Sequence, residues 1–335
     1  MGVSLYPARA AACAAAALTL ALGAAAAGAQ ERTLKLGHDQ VTDHTYHATT
    51  QFFAERVKEL TGGDVEVTIF PGGTLGTETS MLSEVIDGNI DMSVSTTANA
   101  SSFVPQFGIL SVSYLFDGAE HFRRAITDEE FNRLIDEMIA ERDPGFRRVA
   151  TITPGARSVY SNVGPVTSLE DMSGVKMRVM ASPVESQVWG ALGTLPVAIP
   201  FGEVYTGMQT GLIQAAENSP GSYVLNKHHE VAPFYSVTEH QWPISLIFMG
   251  NDAWDRLSAE EQEAITQAGR DTAAFGVDNA IEGDNRLLDE MASTYGVKVN
   301  RLDTTAFVDR LAPLQDQVAE ELGAQAIVAR VRELR

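Results

Sequence analysis

Two arginines and an asparagine near predicted strand ends are the residues of this sequence best suited to binding chemistry. Arg178 lies in the predicted strand Gly174–Val179, where period-two alternation separates the apolar residues from the two cations. A guanidinium fixed on a strand can bind a planar carboxylate through two parallel hydrogen bonds. Arg157 and Asn218 are also predicted near strand ends, where polar groups often line a ligand crevice. Together the three favour an anion site, although for each alone a structural salt bridge or capping amide is the commoner role.

The elements that position these residues follow from the hydrophobic pattern. Segment 200–218 predicts a helix, a tight turn at Gly211 and a strand that ends in Glu217 and Asn218. Upstream, strands alternate with amphipathic helices, which predicts parallel strands in a three-layer α/β architecture. The predicted strands are 34–38, 64–70, 90–96, 147–153 and 157–162, and the predicted helices are 46–60 and 78–86.

A long helix is predicted near the carboxyl terminus. Ser258 and Glu261 form a capping box, with Leu257 as its hydrophobic staple, and no proline follows before Tyr295. Such a helix is roughly 50 Å long, more than one small domain needs. We therefore predict a helix shared by two domains, with a break at one of its glycines as the alternative. The predicted boundaries are 30–153 plus 243–280 for domain I and 154–242 plus 281–335 for domain II.

Composition and the amino terminus narrow the function. Residues 1–29 are typical of a cleavable secretory signal, with Arg9, an Ala/Leu-rich stretch and the small-x-small pattern at 27–29. Cys13, the only cysteine, falls inside it, so we predict a mature chain without disulfides or thiolate chemistry. The net charge of −20 argues against nucleic acid and anionic lipid as partners. A site for an anion must therefore be locally basic.

Catalytic signatures are missing from the sequence. It contains no G-x-S-x-G elbow, Walker A loop, H-E-x-x-H motif or G-x-G-x-x-G motif. His38, His44 and His47 could form a metal trio, but no carboxylate ligand spacing accompanies them, so solvated histidines at a helix start are favoured. We predict no catalytic residue, no metal site and no cofactor.

Four motifs carry a resemblance to a known family. They are FPGGTLG at 70–76, DGNIDM at 87–92, DMSGVKMRV at 171–179 and FGEVYTGMQTG at 201–211, the last followed by AEN at 216–218. Over essentially the whole mature chain the sequence resembles the extracytoplasmic solute-binding subunit of tripartite ATP-independent periplasmic (TRAP) transporters, the DctP family.

The resemblance implies a two-domain periplasmic clamshell, in which crossing strands and the long helix join two mostly parallel sheets flanked by helices. It implies that the protein closes on a small organic acid anion and delivers it to membrane permease subunits, and we expect a monomer. The family's carboxylate-clamping arginine falls on Arg178, its second ligand arginine on Arg157 and its ligand asparagine on Asn218. The remaining ligand-binding positions that we predict fall on Glu78, His38, Asp39, Ser95, Thr96, Phe201, Trp242 and His240.

Departures from the sialic-acid branch of this family narrow the range of possible ligands. That branch has an amide at Asp39 and a glutamate at Thr96, whereas segment 216–223 is similar to the branch that carries sugar acids such as glucuronate and galacturonate. Trp242 would either stack on a sugar ring or pack in the core. C4-dicarboxylates and 2-hydroxy or 2-oxo acids remain alternatives. So do a periplasmic sugar-acid enzyme with His38 or Glu78 as base, and a ligand-sensing partner of a membrane receptor.

Overall fold

The computed structural model describes residues 1–2 and 32–335, so almost all of the predicted signal sequence lies outside the described residues. The strands are β1 (Arg32–Gly37), β2 (Val65–Phe70), β3 (Met92–Thr96), β4 (Phe146–Ile152), β5 (Arg157–Ser161), β6 (Lys176–Val179), β7 (Leu195–Ala198), β8 (Ala215–Asn218), β9 (Phe234–Gln241), β10 (Ser245–Gly250) and β11 (Lys298–Arg301). The α-helices are α1 (Thr45–Leu60), α2 (Glu78–Ile86), α3 (Thr97–Ala100), α4 (Ala119–Thr127), α5 (Glu129–Arg142), α6 (Pro183–Ala191), α7 (Val204–Thr210), α8 (Pro220–Leu225), α9 (Asn251–Asp255), α10 (Ala259–Tyr295), α11 (Thr305–Leu322) and α12 (Gln325–Glu333).

Two sheets define two lobes. The first lobe is built on a five-stranded sheet of order β2-β1-β3-β10-β4, and the second on a six-stranded sheet of order β11-β9-β5-β8-β6-β7. In each sheet a single strand runs against its neighbours, β10 in the first lobe and β5 in the second. The prediction of two mostly parallel sheets is thereby confirmed.

The chain crosses between the lobes on strands. β4 of the first sheet leads directly into β5 of the second, and β9 leads back into β10. The strand that enters the new sheet, β5 or β10, is in both cases the antiparallel one. A short connection cannot carry the chain back to the far end of that sheet, as a βαβ crossover does, so the entering strand runs against its neighbours. Gly155 lies in the first connection with φ of 100°, a backbone conformation that favours glycine.

The predicted long helix is continuous. Ser258 is the N-cap of α10 and forms the capping box with Glu261, and Gly296, which adopts the left-handed conformation, is the C-cap. It packs on α1 and β4 of the first lobe and on α8 and β11 of the second. Gly269 permits this approach, because a Cβ there would lie 1.7 Å from the Val149 carbonyl oxygen. No helix within residues 32–335 is both long and apolar enough to span a bilayer.

The cores form where the predicted apolar faces meet. Leu34 and Leu36 of β1 pack with Phe53 and Val57 of α1 in the first lobe, as period-two and period-3.6 patterns require. The second lobe has its own apolar cluster, which includes Tyr160, Tyr223 and Tyr235. At the end of the chain, α12 packs on α5 of the first lobe, although we predicted residues 281–335 within domain II.

Candidate functional site

A narrow cleft lies between the lobes, where β1, β3, β6 and β8 end. The carboxyl ends of parallel strands are the usual position of ligands in open α/β sheets. Only ≈ 20 Å³ of the cleft is accessible to the centre of a water molecule, about the room that one water needs. The lobes are therefore close together. The residues that line the cleft are Asp39, Gln40, Tyr46, Glu78, Thr96, Asn99, Pro154, Arg157, Arg178, Met180, Phe201, Asn218 and Ser222.

Arg178 is a buried cation without an acidic partner. Its side chain is on β6 and only 2% of the residue is exposed. Its Nε donates to the backbone oxygen of Ile199 at 3.1 Å, and the guanidinium makes no ion pair with any residue of the described chain. Burial, and then the charge of Arg157, lowers the pKa of Arg178. Since an unpaired buried charge is unfavourable, the two Nη groups are suited to an anion from outside the protein.

Arg157, in contrast, is held by an internal ion pair. Its Nε and Nη2 form a bidentate interaction with the carboxylate of Glu217, and Nη2 also donates to the Glu217 backbone oxygen at 2.7 Å. Nη1 donates to Oδ1 of Asn218 at 2.8 Å. Although burial opposes ionisation, Arg157 lowers the pKa of Glu217 to about 2. Arg157 therefore lines the cleft with most of its donors already engaged, and its role as the second ligand arginine stays a prediction that depends on the remaining hydrogen of Nη1.

Asn218 ends β8 beside these two arginines. Its Oδ1 accepts from Arg157 and from the backbone N–H of Ser219 at 3.0 Å. Because both interactions occupy the oxygen, the amide nitrogen is the end that remains for a ligand. Phe201, which follows β7, lines the same wall half-buried, and its ring centroid is 5.3 Å from that of His228.

The opposite wall of the cleft is acidic. Glu78 is the first residue of α2, and its Oε2 accepts from Ser95 Oγ, from the backbone and hydroxyl of Thr96, and from Asn99 Nδ2, at 2.7–3.2 Å. Four donors thus converge on a single oxygen of this side chain. The first turn of a helix also favours an acidic side chain.

Asp39 lies beside Glu78 in the loop after β1. Its Oδ1 accepts from Gln40 Nε2 at 3.0 Å. Burial, and then the nearby charge of Glu78, raises the pKa of Asp39 to about 7. Near neutral pH, Asp39 is therefore partly protonated and able to donate a hydrogen bond as well as accept one.

Behind the arginines lies a buried polar cluster. Glu185 accepts from Gln241 Nε2 at 3.0 Å and from Trp189 Nε1 at 3.3 Å, and burial together with Glu217 raises the pKa of Glu185 to about 7. His240 Nε2 is 3.4 Å from Glu217 Oε2. The cluster supports Arg157 and Glu217 from the side that faces away from the cleft.

Four of the predicted ligand positions do not line the cleft. His38 is fully buried with its Nε2 3.1 Å from His47 Nδ1, and Ser95 lies behind Glu78. His240 contacts Glu217 from the buried side, as described above. Trp242 packs on Phe122, with ring centroids 5.4 Å apart, so core packing is its observed role.

Other cleft residues were missed by the sequence analysis. Tyr46 and Met180 line the cleft, as do Gln40, Asn99 and Ser222. Each lies within two residues of a predicted strand or helix end or near the start of a helix, but those positions are common in any α/β protein. The sequence offered no signal that separated them. Within the described residues, no group of three acidic, histidine or cysteine side chains could hold a metal ion.

Two lobes on crossing strands, with a cationic wall facing an acidic wall, define a clamshell solute-binding protein. The sequence profile of bacterial extracellular solute-binding proteins, family 7 (DctP), matches residues 36–322. The chain belongs to this family, whose members serve TRAP transporters.

One relative and two solved structures illustrate the similarity of this chain to known proteins. A solute-binding protein of Roseobacter denitrificans is 32% identical over 72% of this chain and 73% of its own. A TRAP periplasmic solute-binding protein of Bradyrhizobium sp. BTAi1, solved in complex with α/β-D-galacturonate, superposes with a TM-score of 0.84 at 29% identity, covering 90% of this chain and 100% of that one. A TRAP protein of R. denitrificans with bound β-D-glucuronate gives 0.82 at 26% identity, covering 89% and 98%.

Proposed function

We propose that this protein binds a sugar acid, most favourably a hexuronate, by closing its two lobes around it. The observation that carries the proposal is the buried Arg178, which lines the cleft without an acidic partner. A ligand carboxylate would complete its coordination through the two Nη groups. Asn218 Nδ2 and the remaining hydrogen of Arg157 Nη1 would supply further donors.

The acidic wall favours a polyhydroxylated monoacid over a dicarboxylate. Glu78 and Asp39 face the arginine side from the first lobe. A second carboxylate placed there would be repelled, whereas sugar hydroxyls can donate to both groups. The bound hexuronates of the Bradyrhizobium and Roseobacter relatives support the same ligand class.

We propose no catalytic step for this chain. His38, a candidate base, is buried outside the cleft, where burial and His47 lower its pKa to about 4. We further propose that residues 1–29 direct the protein to the periplasm and that the loaded monomer delivers its ligand to the membrane subunits of a TRAP transporter. The domain boundaries that we propose are those given by the sequence, except that α12 joins the first lobe through its contact with α5.

A thermal-shift and calorimetry series tests the ligand class. D-Glucuronate and D-galacturonate should raise the melting temperature by mass action, D-glucose should not, and succinate should have a smaller effect than the uronates. Succinate binding more tightly than either uronate would contradict the sugar-acid proposal. Conversion of a uronate to product during incubation would contradict a purely binding role.

A further inference from the structure

One side chain of the first lobe joins the two walls of the cleft. Asn99 Nδ2 donates to Glu78 Oε2 at 2.7 Å, and Asn99 Oδ1 accepts the backbone N–H of Ala181 from the second lobe at 3.0 Å. Ala181 is three residues beyond Arg178, on the segment that leaves β6. A single amide therefore connects the acidic wall to the segment that carries the guanidinium.

The orientation of this amide is fixed by its partners. A carboxylate oxygen only accepts and a backbone N–H only donates, so the Asn99 amide cannot flip without losing both hydrogen bonds. Three other hydrogen bonds cross the cleft: from Asn226 to Gln40 at 3.2 Å, between His44 and Ser222 at 3.0 Å, and a weak one from Thr96 Oγ1 to Met180 Sδ at 3.7 Å. Only the Thr96 hydroxyl also reaches both Glu78 and the segment after Arg178, and its single hydrogen cannot serve Glu78 Oε2 at 2.9 Å and the weak thioether acceptor together.

We propose that Asn99 is a positioning residue that couples lobe closure to the ligand site. The inference rests on the proposed function, because closure matters only if a ligand is held between the walls. The Asn99–Ala181 bond exists only when the lobes are together, so it stabilises the closed form and slows ligand release. It contributes nothing to the encounter between ligand and open protein.

Two substitutions at this position separate the halves of the amide. Asn99→Leu removes both hydrogen bonds at similar volume. Asn99→Asp keeps an acceptor for Ala181 but places a carboxylate oxygen against Glu78, which is repulsive. Ser102→Ala is the matched control, because Ser102 Oγ donates to the Asn99 backbone oxygen at 3.0 Å from the exposed side of the same segment.

Stopped-flow binding of D-glucuronate provides the first measurement. Loss of one neutral hydrogen bond from the closed form should raise the off-rate of Asn99→Leu about threefold to tenfold, with an unchanged on-rate. Asn99→Asp should release the ligand faster still, and Ser102→Ala should match the wild type. An unchanged off-rate in Asn99→Leu, or an effect confined to the on-rate, would overturn the proposal.

A distance measurement between the lobes tests the coupling without ligand. Spin labels at Asp87→Cys and Gln209→Cys, both exposed, would report the separation in a chain with Cys13→Ser. Asn99→Leu should show a larger fraction of long distances than the wild type, and identical distributions would overturn the proposal. If the wild type bound no acid, the proposed function would fail, whereas this comparison would still decide the role of Asn99.

Discussion

The two arginines of the cleft should respond in opposite ways to the same substitution. Arg178→Met removes a buried charge that lacks an acidic partner. Arg157→Met leaves the carboxylate of Glu217 buried without its cation. We expect the first variant to be at least as stable as the wild type and unable to hold the ligand. The second should lose stability.

The magnitudes follow from the contacts of each side chain. Two charged hydrogen bonds from Arg178 to a ligand carboxylate, at about 1.5–3 kcal/mol each, predict a binding loss of about 3–6 kcal/mol. Arg178→Met also removes an unfavourable desolvated charge, but the Ile199 carbonyl oxygen loses its donor. The free energy of unfolding of this variant should therefore rise by only about 1–2 kcal/mol. The free energy of unfolding of Arg157→Met should fall by about 3–5 kcal/mol, which is the usual cost of removing one partner of a buried ion pair.

Urea unfolding at pH 7.5 without ligand and calorimetric titration with D-glucuronate measure the two effects separately. Arg178→Lys provides a further comparison, because an ammonium retains the charge without the planar fork and should still bind weakly. The reasoning would be refuted if Arg178→Met were destabilised as much as Arg157→Met. Binding by Arg178→Met within a few-fold of wild type would refute the role of Arg178.

Three further perturbations test other parts of the structure. Folding raises the pKa of Asp39 from 3.8 to about 7, so the folded protein holds an extra proton between these pH values. Its free energy of unfolding should therefore fall as pH rises through this range. Urea titrations of Asp39→Asn should lack this fall. Gly155→Ala should cost about 2 kcal/mol or more in urea unfolding, because φ is +100° and its Cβ would lie 1.7 Å from Asp284 Oδ2. Gly62→Ala, at φ of +62° with open space around it, should cost only about 1 kcal/mol. Finally, the net charge of −20 repels an anion, and salt screens this repulsion. The on-rate for D-glucuronate in stopped-flow experiments should therefore increase with salt concentration. A decrease would show that the local cationic field of the cleft dominates.

Local patterns were sufficient to predict the elements but not the partners of their side chains. Period-two alternation and a capping box identified β6 and α10, because both signals depend on neighbours in sequence. The pairing of Arg157 with Glu217 depends on the register of β5 and β8, in which Val159 lies opposite Glu217. Nothing in either strand's own sequence determines that register. For the same reason the sequence left Trp242 undecided between core and cleft.

The internal ion pair explains how two buried arginines coexist beside one cleft. Burial, and then the charge of Arg157, lowers the pKa of Arg178, so a second uncompensated guanidinium beside it would be unfavourable. Glu217 neutralises Arg157 and leaves it as a rigid support for Asn218. The cationic wall then presents a net charge of one, which matches one ligand carboxylate. A second free cation would favour a diacid, so Glu217 contributes to ligand selection although its carboxylate faces Arg157.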